Sequence, residues 1–298
     1  MAEPSESIIF VVDGKRLEAM SLVLATTIAA HHDTGSEVRL IAYVSAVTRP
    51  DLDQATLALY EACGVEIAPL PDSTGIWKKP YPHGNKLLAC AAPRTSARTT
   101  FLDTDMAVMA KITGLPEADP FEIFAVPEGK PTWGKKGGWE QAYAFFGLPM
   151  PEERVTLMRG RKKEYFPYFN AGFVSFSDMP LEDDGRSFGA MWLEFARQFD
   201  WHCAVADKRP WLDQITLPLV MAEFGLSCLL LPEFYNYSIS EREDLSEVGL
   251  AKVIHYHRTG YFNKLPNRCL ILDQVRSRVP ARLHAKLDTM LEFYRKTS

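Results

Sequence analysis

The sequence predicts an α/β fold in which a mostly parallel central sheet is flanked by helices. Three observations carry this. The chain opens in a β-α-β-α-β order, the pattern of a parallel sheet with helical crossovers. Its first strand segments are continuously apolar rather than alternating, as strands buried on both faces require. With 298 residues, 47% of them apolar, the chain can bury a sizeable core.

Taken in order, Ser7–Val12 is an apolar run that ends at Asp13-Gly14 and reads as a buried parallel strand. Lys15–Ala30 follows as a helix, with Leu17, Met20, Leu24 and Ile28 as its apolar positions. Val38–Val44 is a second strand, Leu52–Cys63 a second helix closed by Gly64, and Val65–Ile67 a short third strand. Pro80-Tyr81-Pro82 breaks the chain ahead of a helix of about ten residues that carries Lys86, Leu87, Leu88 and Ala91. A strand then leads into Asp103, and Phe121–Val126 is another. Pro131–Gly138, with Trp133, Trp139 and two glycines, is expected to be a mobile loop rather than core.

Arg154–Tyr165 contains Arg159, Arg161, Lys162 and Lys163, which form either a solvated face or a loop that meets phosphate or an anionic acceptor. Tyr168–Phe176 is a strand that starts at small residues, a mark of close approach between backbone and ligand. Helices are expected at Phe188–His202 and Leu212–Phe224, and strands at Leu226–Leu231 and Ala251–His257. Cys269–Tyr294 reads as helical with a break at Pro280. No repeat, low-complexity tract or linker interrupts the chain. The expected organisation is one domain over residues 1–275 with a helical tail, residues 276–298, packed on it.

A formal net charge of −5 gives no electrostatic argument for nucleic-acid binding. Five dispersed cysteines (Cys63, Cys90, Cys203, Cys228 and Cys269) favour reduced thiols over a disulfide frame or a zinc knuckle. The polar, acidic N-terminus does not resemble a signal peptide, and Met20–Ala30 is too short to span a bilayer. A cytoplasmic protein is expected, with peripheral attachment to a membrane left open.

Phe101-Leu102-Asp103-Thr104-Asp105 places two carboxylates directly after an apolar run. Read as a strand end, period-two geometry puts both on one side of the backbone, where they repel unless a cation lies between them. Hard oxygen ligands suit Mg²⁺ or Mn²⁺, which take phosphate oxygens as further ligands. Asp-x-Asp triplets are also common in turns. The position after a strand favours the ligand reading, because open α/β sheets bind ligands at strand ends.

Further motifs follow in order: Asp13 after the first strand, Lys86, Phe169-Asn170-Ala171-Gly172-Phe173, Leu212-Asp213-Gln214 and Ile254-His255-Tyr256. Together with Asp103-Thr104-Asp105, this order resembles the family-eight retaining glycosyltransferases and related nucleotide-diphospho-sugar transferases, over roughly residues 7 to 262. The resemblance implies a GT-A fold and a metal-dependent transfer of sugar from a nucleotide diphosphate, expected to be a uridine one, to a hydroxyl with retention. It places Mn²⁺ or Mg²⁺ on Asp103, Asp105 and His255. Asp13 falls at the nucleotide base or ribose, and Lys86 braces the Asp-x-Asp and the phosphates. Asn170, Ala171 and Gly172 lie beside the donor sugar, and Asp213 and Gln214 near its anomeric carbon. The acceptor, whether glycan, lipid or protein, is not implied.

Two departures stand out. Ile215 occupies the place where the family continues with a second acid, and Arg258–Pro266 only partly matches the family segment that grips the diphosphate, with Arg258 and Lys264 as its cations. A binding protein without catalysis on the same scaffold is therefore an alternative. A sugar-phosphate nucleotidyltransferase needs more glycines than Asp13-Gly14-Lys15-Arg16-Leu17 offers. In a haloacid-dehalogenase-type phosphatase the acid pair follows the first strand, and Met106-Ala107 does not fit the residues expected after it.

Overall fold

The apolar runs at the start of the chain fold as buried strands joined through helices. The computed structural model describes residues 5–115, 121–159, 163–181 and 185–295. The elements begin with β1 (Glu6–Val12), α1 (Lys15–His31), β2 (Val38–Val44), α2 (Gln54–Ala62), β3 (Val65–Pro69), α3 (Asn85–Ala91), β4 (Arg98–Leu102) and β5 (Met106–Val108). The middle of the chain forms β6 (Glu122–Pro127), α4 (Gly138–Phe145), β7 (Val155–Thr156), β8 (Glu164–Tyr165), β9 (Phe169–Ser177), α5 (Phe188–His202) and α6 (Leu212–Glu223). The last elements are β10 (Ser227–Leu230), β11 (Tyr237–Ser238), β12 (Val253–His255), α7 (Thr259–Phe262), α8 (Arg268–Ser277) and α9 (His284–Arg295).

A seven-stranded sheet has the order β10-β6-β9-β4-β1-β2-β3, and β11-β12-β5 and β7-β8 form two smaller ones. The mixed α/β architecture with C-terminal helices agrees with the expected fold class. Two compact units divide the chain.

One unit comprises Met1–Leu70, Leu102–Leu115 and Phe234–Ser298. Within it β1, β2 and β3 pair in parallel, with Glu6 opposite Val38 and Leu40 opposite Val65. The crossover helix α1 is buried at every residue from Glu18 to Ile28, as a helix covered on all sides must be. The Glu18 carboxylate is matched by the Asp53 N–H and the Thr56 hydroxyl, both at 2.7 Å, and by Lys15 at 3.0 Å. The Thr27 hydroxyl accepts the Val108 N–H at 3.0 Å, tying α1 to β5. In the small sheet β12 runs antiparallel to β5, with His255 opposite Met106, and parallel to β11, with Ser238 opposite His255. Leu287, Leu291 and Tyr294 of α9 are buried, and the Tyr294 hydroxyl meets that of Tyr256 at 2.6 Å.

The other unit comprises Pro71–Phe101 and Pro116–Glu233. Here β10 pairs with β6 in parallel and β6 with β9 antiparallel, with a register shift between Ala125 and Val126 that sets Val126 opposite Asn170. Helix α3 packs on α5 at Gly189, where an added Cβ would lie 2.1 Å from the Cys90 carbonyl oxygen. Trp133 and Trp139 overturn the expectation of a mobile loop: they are 4% and 0% exposed, with ring centroids 5.0 Å apart. Trp139 also packs on Tyr168 and Tyr143. Burial of these aromatic rings outweighs the loop-forming preference of the surrounding Gly and Pro residues. Of the basic cluster, Arg161 and Lys162 lie outside the described residues.

Candidate active site

β4 stops at Leu102, and Thr104 and Asp105 form a turn rather than a continuing strand. Strand alternation therefore does not govern the two acids. The Thr104 hydroxyl donates to the Val11 carbonyl at 2.6 Å, fixing the turn to β1 near its C-terminal end. Asp105 is held in turn by β12, because its carbonyl accepts the Tyr256 N–H at 3.1 Å.

This pairing brings the Asp105 carboxylate to His255, with Oδ1 and Nε2 3.2 Å apart. His255 is 3% exposed, and its Nδ1 lies 3.0 Å from Asn236 Oδ1, a buried amide that orients the ring. His257 joins them: one ligand atom from each of Asp105, His255 and His257 lies within 4.8 Å of the others. Burial alone would push the Asp105 carboxyl up. The adjacent His255 and His257 outweigh that and hold it well below the usual carboxylate range. One carboxylate and two imidazoles form a donor set that fits a divalent transition ion. Asp103 is half-buried and is not one of the three.

Asp13 follows β1, and its Oδ1 accepts the Ser45 hydroxyl at 2.7 Å and the Thr48 hydroxyl at 3.4 Å. Gly14 has φ +85°, a conformation open to glycine, and its N–H donates to Thr48 Oγ1 at 2.7 Å. A cavity of about 1070 Å³ opens beside the start of α1, and Lys15, Arg16, Arg258 and Lys264 line it. The acids on its wall are engaged: Glu18 as described above, and Asp53 in capping α2 through the Ala55 N–H at 2.8 Å. Four cations against these two acids leave the lining with an excess of positive charge. The buried Tyr256–Tyr294 hydroxyl pair lies within electrostatic reach of both Arg16 and Asp105.

In the other unit, Lys86 is a largely covered ion-pair partner rather than a surface cation. Its Nζ lies 2.8 Å from Asp213 Oδ2, and it donates to the Ala171 carbonyl at 3.2 Å. Asn170 is fixed at both ends of its amide: Nδ2 donates to Glu128 at 3.0 Å, and Oδ1 accepts the Gly172 N–H at 3.0 Å. Asp213 sits at the start of α6, where its carbonyl accepts the Trp192 indole N–H at 3.0 Å. Gln214, the next residue, buries its side-chain Oε1 with no hydrogen-bond partner among the described residues. A buried acceptor of this kind is uncommon.

A family model described as "Rhodobacterales glycosyltransferase domain" matches residues 8–225. The chain belongs to this family. It is accordingly an enzyme of the glycosyltransferase type. No curated protein gives a significant sequence match.

Among solved structures, an active-site mutant of LgtC aligns with TM-score 0.58 at 15% identity, covering 94% of this chain and 99% of that one. LgtC in complex with donor and acceptor sugar analogs aligns with TM-score 0.55, also at 15% identity and with the same coverage. Mouse xyloside xylosyltransferase 1 aligns with TM-score 0.50 at 16% identity, covering 86% of this chain and 98% of that one. At these identities the likeness is one of fold, and the fold is that of GT-A glycosyltransferases.

In this Rhodobacterales-type glycosyltransferase the structure brings together Asp105 with His255, Arg258 with Lys264, and Lys86 with Asp213. Two polar residues escaped the sequence reading. Glu128, just beyond β6, holds the Asn170 amide. His257 stands two residues after His255, and the period-two rule for the expected strand Ala251–His257 already pointed it to the same face. Among the described residues, no helix is long and apolar enough to cross a membrane.

Proposed function

We propose that the protein is a family-eight-type, retaining, metal-dependent glycosyltransferase that uses a nucleotide-diphosphate sugar, with a uridine diphosphate as the expected nucleotide part. The observation that carries this reading is the convergence of Asp105 and His255 at 3.2 Å, with His255 oriented by Asn236. Asp103, Asp105 and His255 would hold Mn²⁺ or Mg²⁺. When bound, such an ion supplies charge neutralisation for a departing diphosphate.

The remaining roles follow from what each side chain is placed to do. Arg258 and Lys264 bring positive charge to the diphosphate, with Lys15 and Arg16 in the same cavity. Asp13, steadied by Ser45 and Thr48, receives the base or ribose hydroxyls. Around the sugar, Gln214 Oε1, without a partner among the described residues, accepts a hydrogen bond from a sugar hydroxyl. Asp213, charge-balanced by Lys86, faces the sugar near its anomeric carbon, while Asn170, Ala171 and Gly172 form a close, small-residue wall.

In the reaction the bond between the anomeric carbon and the diphosphate oxygen breaks. A bond from the acceptor hydroxyl oxygen forms on the same face, through a transition state with oxocarbenium character. The acceptor's proton passes to the leaving phosphate oxygen, so no separate base is required. The products are the glycoside and the nucleoside diphosphate. Ile215, in place of a second acid, is 0% exposed and packs in the core, leaving Asp213 as the acid of this segment.

The test is release of nucleoside diphosphate from uridine- and guanosine-diphosphate sugars with and without Mn²⁺. Wild type is expected to release it only with metal, and Asp105→Asn is expected to abolish release. Undiminished release by Asp105→Asn would sink the metal assignment. The anomeric configuration of the product, read by NMR, tests retention.

A further inference from the structure

We propose that His257 is an additional protein ligand of the metal, and that the Asp105–His255–His257 set selects a borderline transition ion over Mg²⁺. The inference rests on the metal reading above and extends it to a residue that reading does not use.

Three observations carry it. The first is proximity: the ligand atoms of all three residues lie within 4.8 Å of one another, and the two imidazole centroids are 3.7 Å apart at 32°. Each neutral imidazole offers one ring lone pair, so the two rings and the Asp105 carboxylate present three ligand atoms within reach of one another. The second is orientation. His255 Nδ1 meets Asn236 at 3.0 Å, and His257 Nε2 meets the Ser238 hydroxyl at 2.9 Å. Asn236 and Ser238 are two residues apart, as the histidines are, so β11 and the residue before it fix both rings. Metal-ligating imidazoles are held in this way through their other nitrogen.

The third observation is backbone strain. His257 has φ +54°, in the left-handed region that is uncommon for residues other than glycine, Asn, Asp and His being those that enter it most. Such conformations persist where the surrounding structure enforces them and concentrate at functional sites. An ordinary turn at this point would be served by Gly or Asn. A histidine held there keeps its imidazole beside Asp105.

Ligand chemistry sets the selectivity. Mg²⁺ demands a near-ideal octahedron of oxygen ligands, whereas imidazole suits first-row transition ions, for which affinity rises from Mn²⁺ to Cu²⁺ and falls again at Zn²⁺. A carboxylate with two imidazoles is therefore a poor Mg²⁺ site and a good one for Mn²⁺ or Zn²⁺.

The experiment uses the full chain without nucleotide sugar. Calorimetry measures binding of MnCl2, ZnCl2 and MgCl2, and pulsed EPR on the Mn²⁺ form counts coordinated imidazole nitrogens. Wild type is expected to show two nitrogens and to bind Mn²⁺ at least tenfold more tightly than Mg²⁺. His257→Asn is expected to show one nitrogen and to weaken Mn²⁺ binding at least tenfold. Asn is chosen because it tolerates the left-handed conformation, and His257→Gly, which adopts it freely, is the second variant should the first fail to fold.

One nitrogen in wild type, or unchanged Mn²⁺ affinity in the folded variant, overturns the role of His257 while leaving Asp105 and His255 in place. Equal affinity for Mg²⁺ and Mn²⁺ overturns the selectivity. Absence of any metal binding by wild type overturns this inference together with the metal reading it rests on. A loss confined to Asp105→Asn, with His257→Asn intact, overturns this inference alone.

Discussion

Replacing Lys86 by Met tests whether the Lys86–Asp213 pair is a buried structural charge pair. The two charged atoms are 2.8 Å apart, and the side chains are 11% and 7% exposed. Removing the ammonium leaves the Asp213 carboxylate buried beside an apolar residue and takes one donor from the Ala171 carbonyl. Uncompensated buried charges of this kind cost about 3–5 kcal/mol. At roughly 2–4 °C per kcal/mol for a chain of this order of size, a loss of about 3 kcal/mol lowers Tm by roughly 6–12 °C. Urea unfolding followed by circular dichroism, with calorimetry in parallel, reads the change. Exchanging both partners, Lys86→Met with Asp213→Leu, is expected to recover much of the loss, because a packed apolar pair replaces a desolvated ionic one. The cycle of single and double variants then isolates the coupling. A loss below about 1 kcal/mol in Lys86→Met, the value of a solvent-exposed pair, would refute the reasoning.

Gln214→Met removes a buried acceptor without a partner, so the variant is expected to be as stable as wild type or more so, by up to about 1–3 kcal/mol, while sugar transfer falls. Thermal unfolding and turnover, measured on the same preparation, check both halves. Asp200 supplies a pH test. Burial raises its carboxyl pKa, but the hydrogen bonds from Arg209 and the Lys78 N–H, with the charges of Arg209 and Lys208, outweigh burial and lower it below the ordinary 3.8. The stabilisation is therefore fully present above about pH 4 and is lost as pH falls through the depressed folded value. Asp200→Asn should unfold more readily than wild type at neutral pH, and the gap, read by denaturant titration at stepped pH, should narrow below about pH 4.

The elements that the sequence disclosed are those whose burial pattern is written locally. Val38–Val44 and Phe188–His202 fold with the boundaries that their apolar periodicity suggests. Trp133 and Trp139 were hidden because their partners are distant in sequence, Tyr168 above all, while Gly and Pro around them signal a loop. Of the small sheet, β12 lies inside the expected strand Ala251–His257, whereas β11 and β5, of two and three residues, are too short for any periodicity to register. Asp105 and His255 could be paired from sequence only through the order of motifs. Geometry reaches them by a different route, through the pairing of β5 with β12 and the anchoring of Thr104 on β1.

That route explains why the polar centre is built where it is. A carboxylate and two imidazoles cannot hold themselves together, because each prefers water to the other two unless something neutralises or orients them. The orienting groups all come from strands too short to be stable alone: Asn236 and Ser238 at β11 face His255 and His257 at and just beyond β12, and β5 begins directly after Asp105. These strands persist because apolar residues interleave with the polar ones. Tyr237, Ile254, Tyr256, Met106 and Ala107 are all at most 1% exposed. Ile254 and Tyr256 go into the core and alternate with His255 and His257 at the polar centre, as Tyr237 does with Asn236 and Ser238. A one-residue slip of β12 would exchange Ile254 for His255 and lose both the core contact and the ligand. Register in this small sheet is thus fixed by burial, and the chemistry at Asp105 takes its geometry from that register.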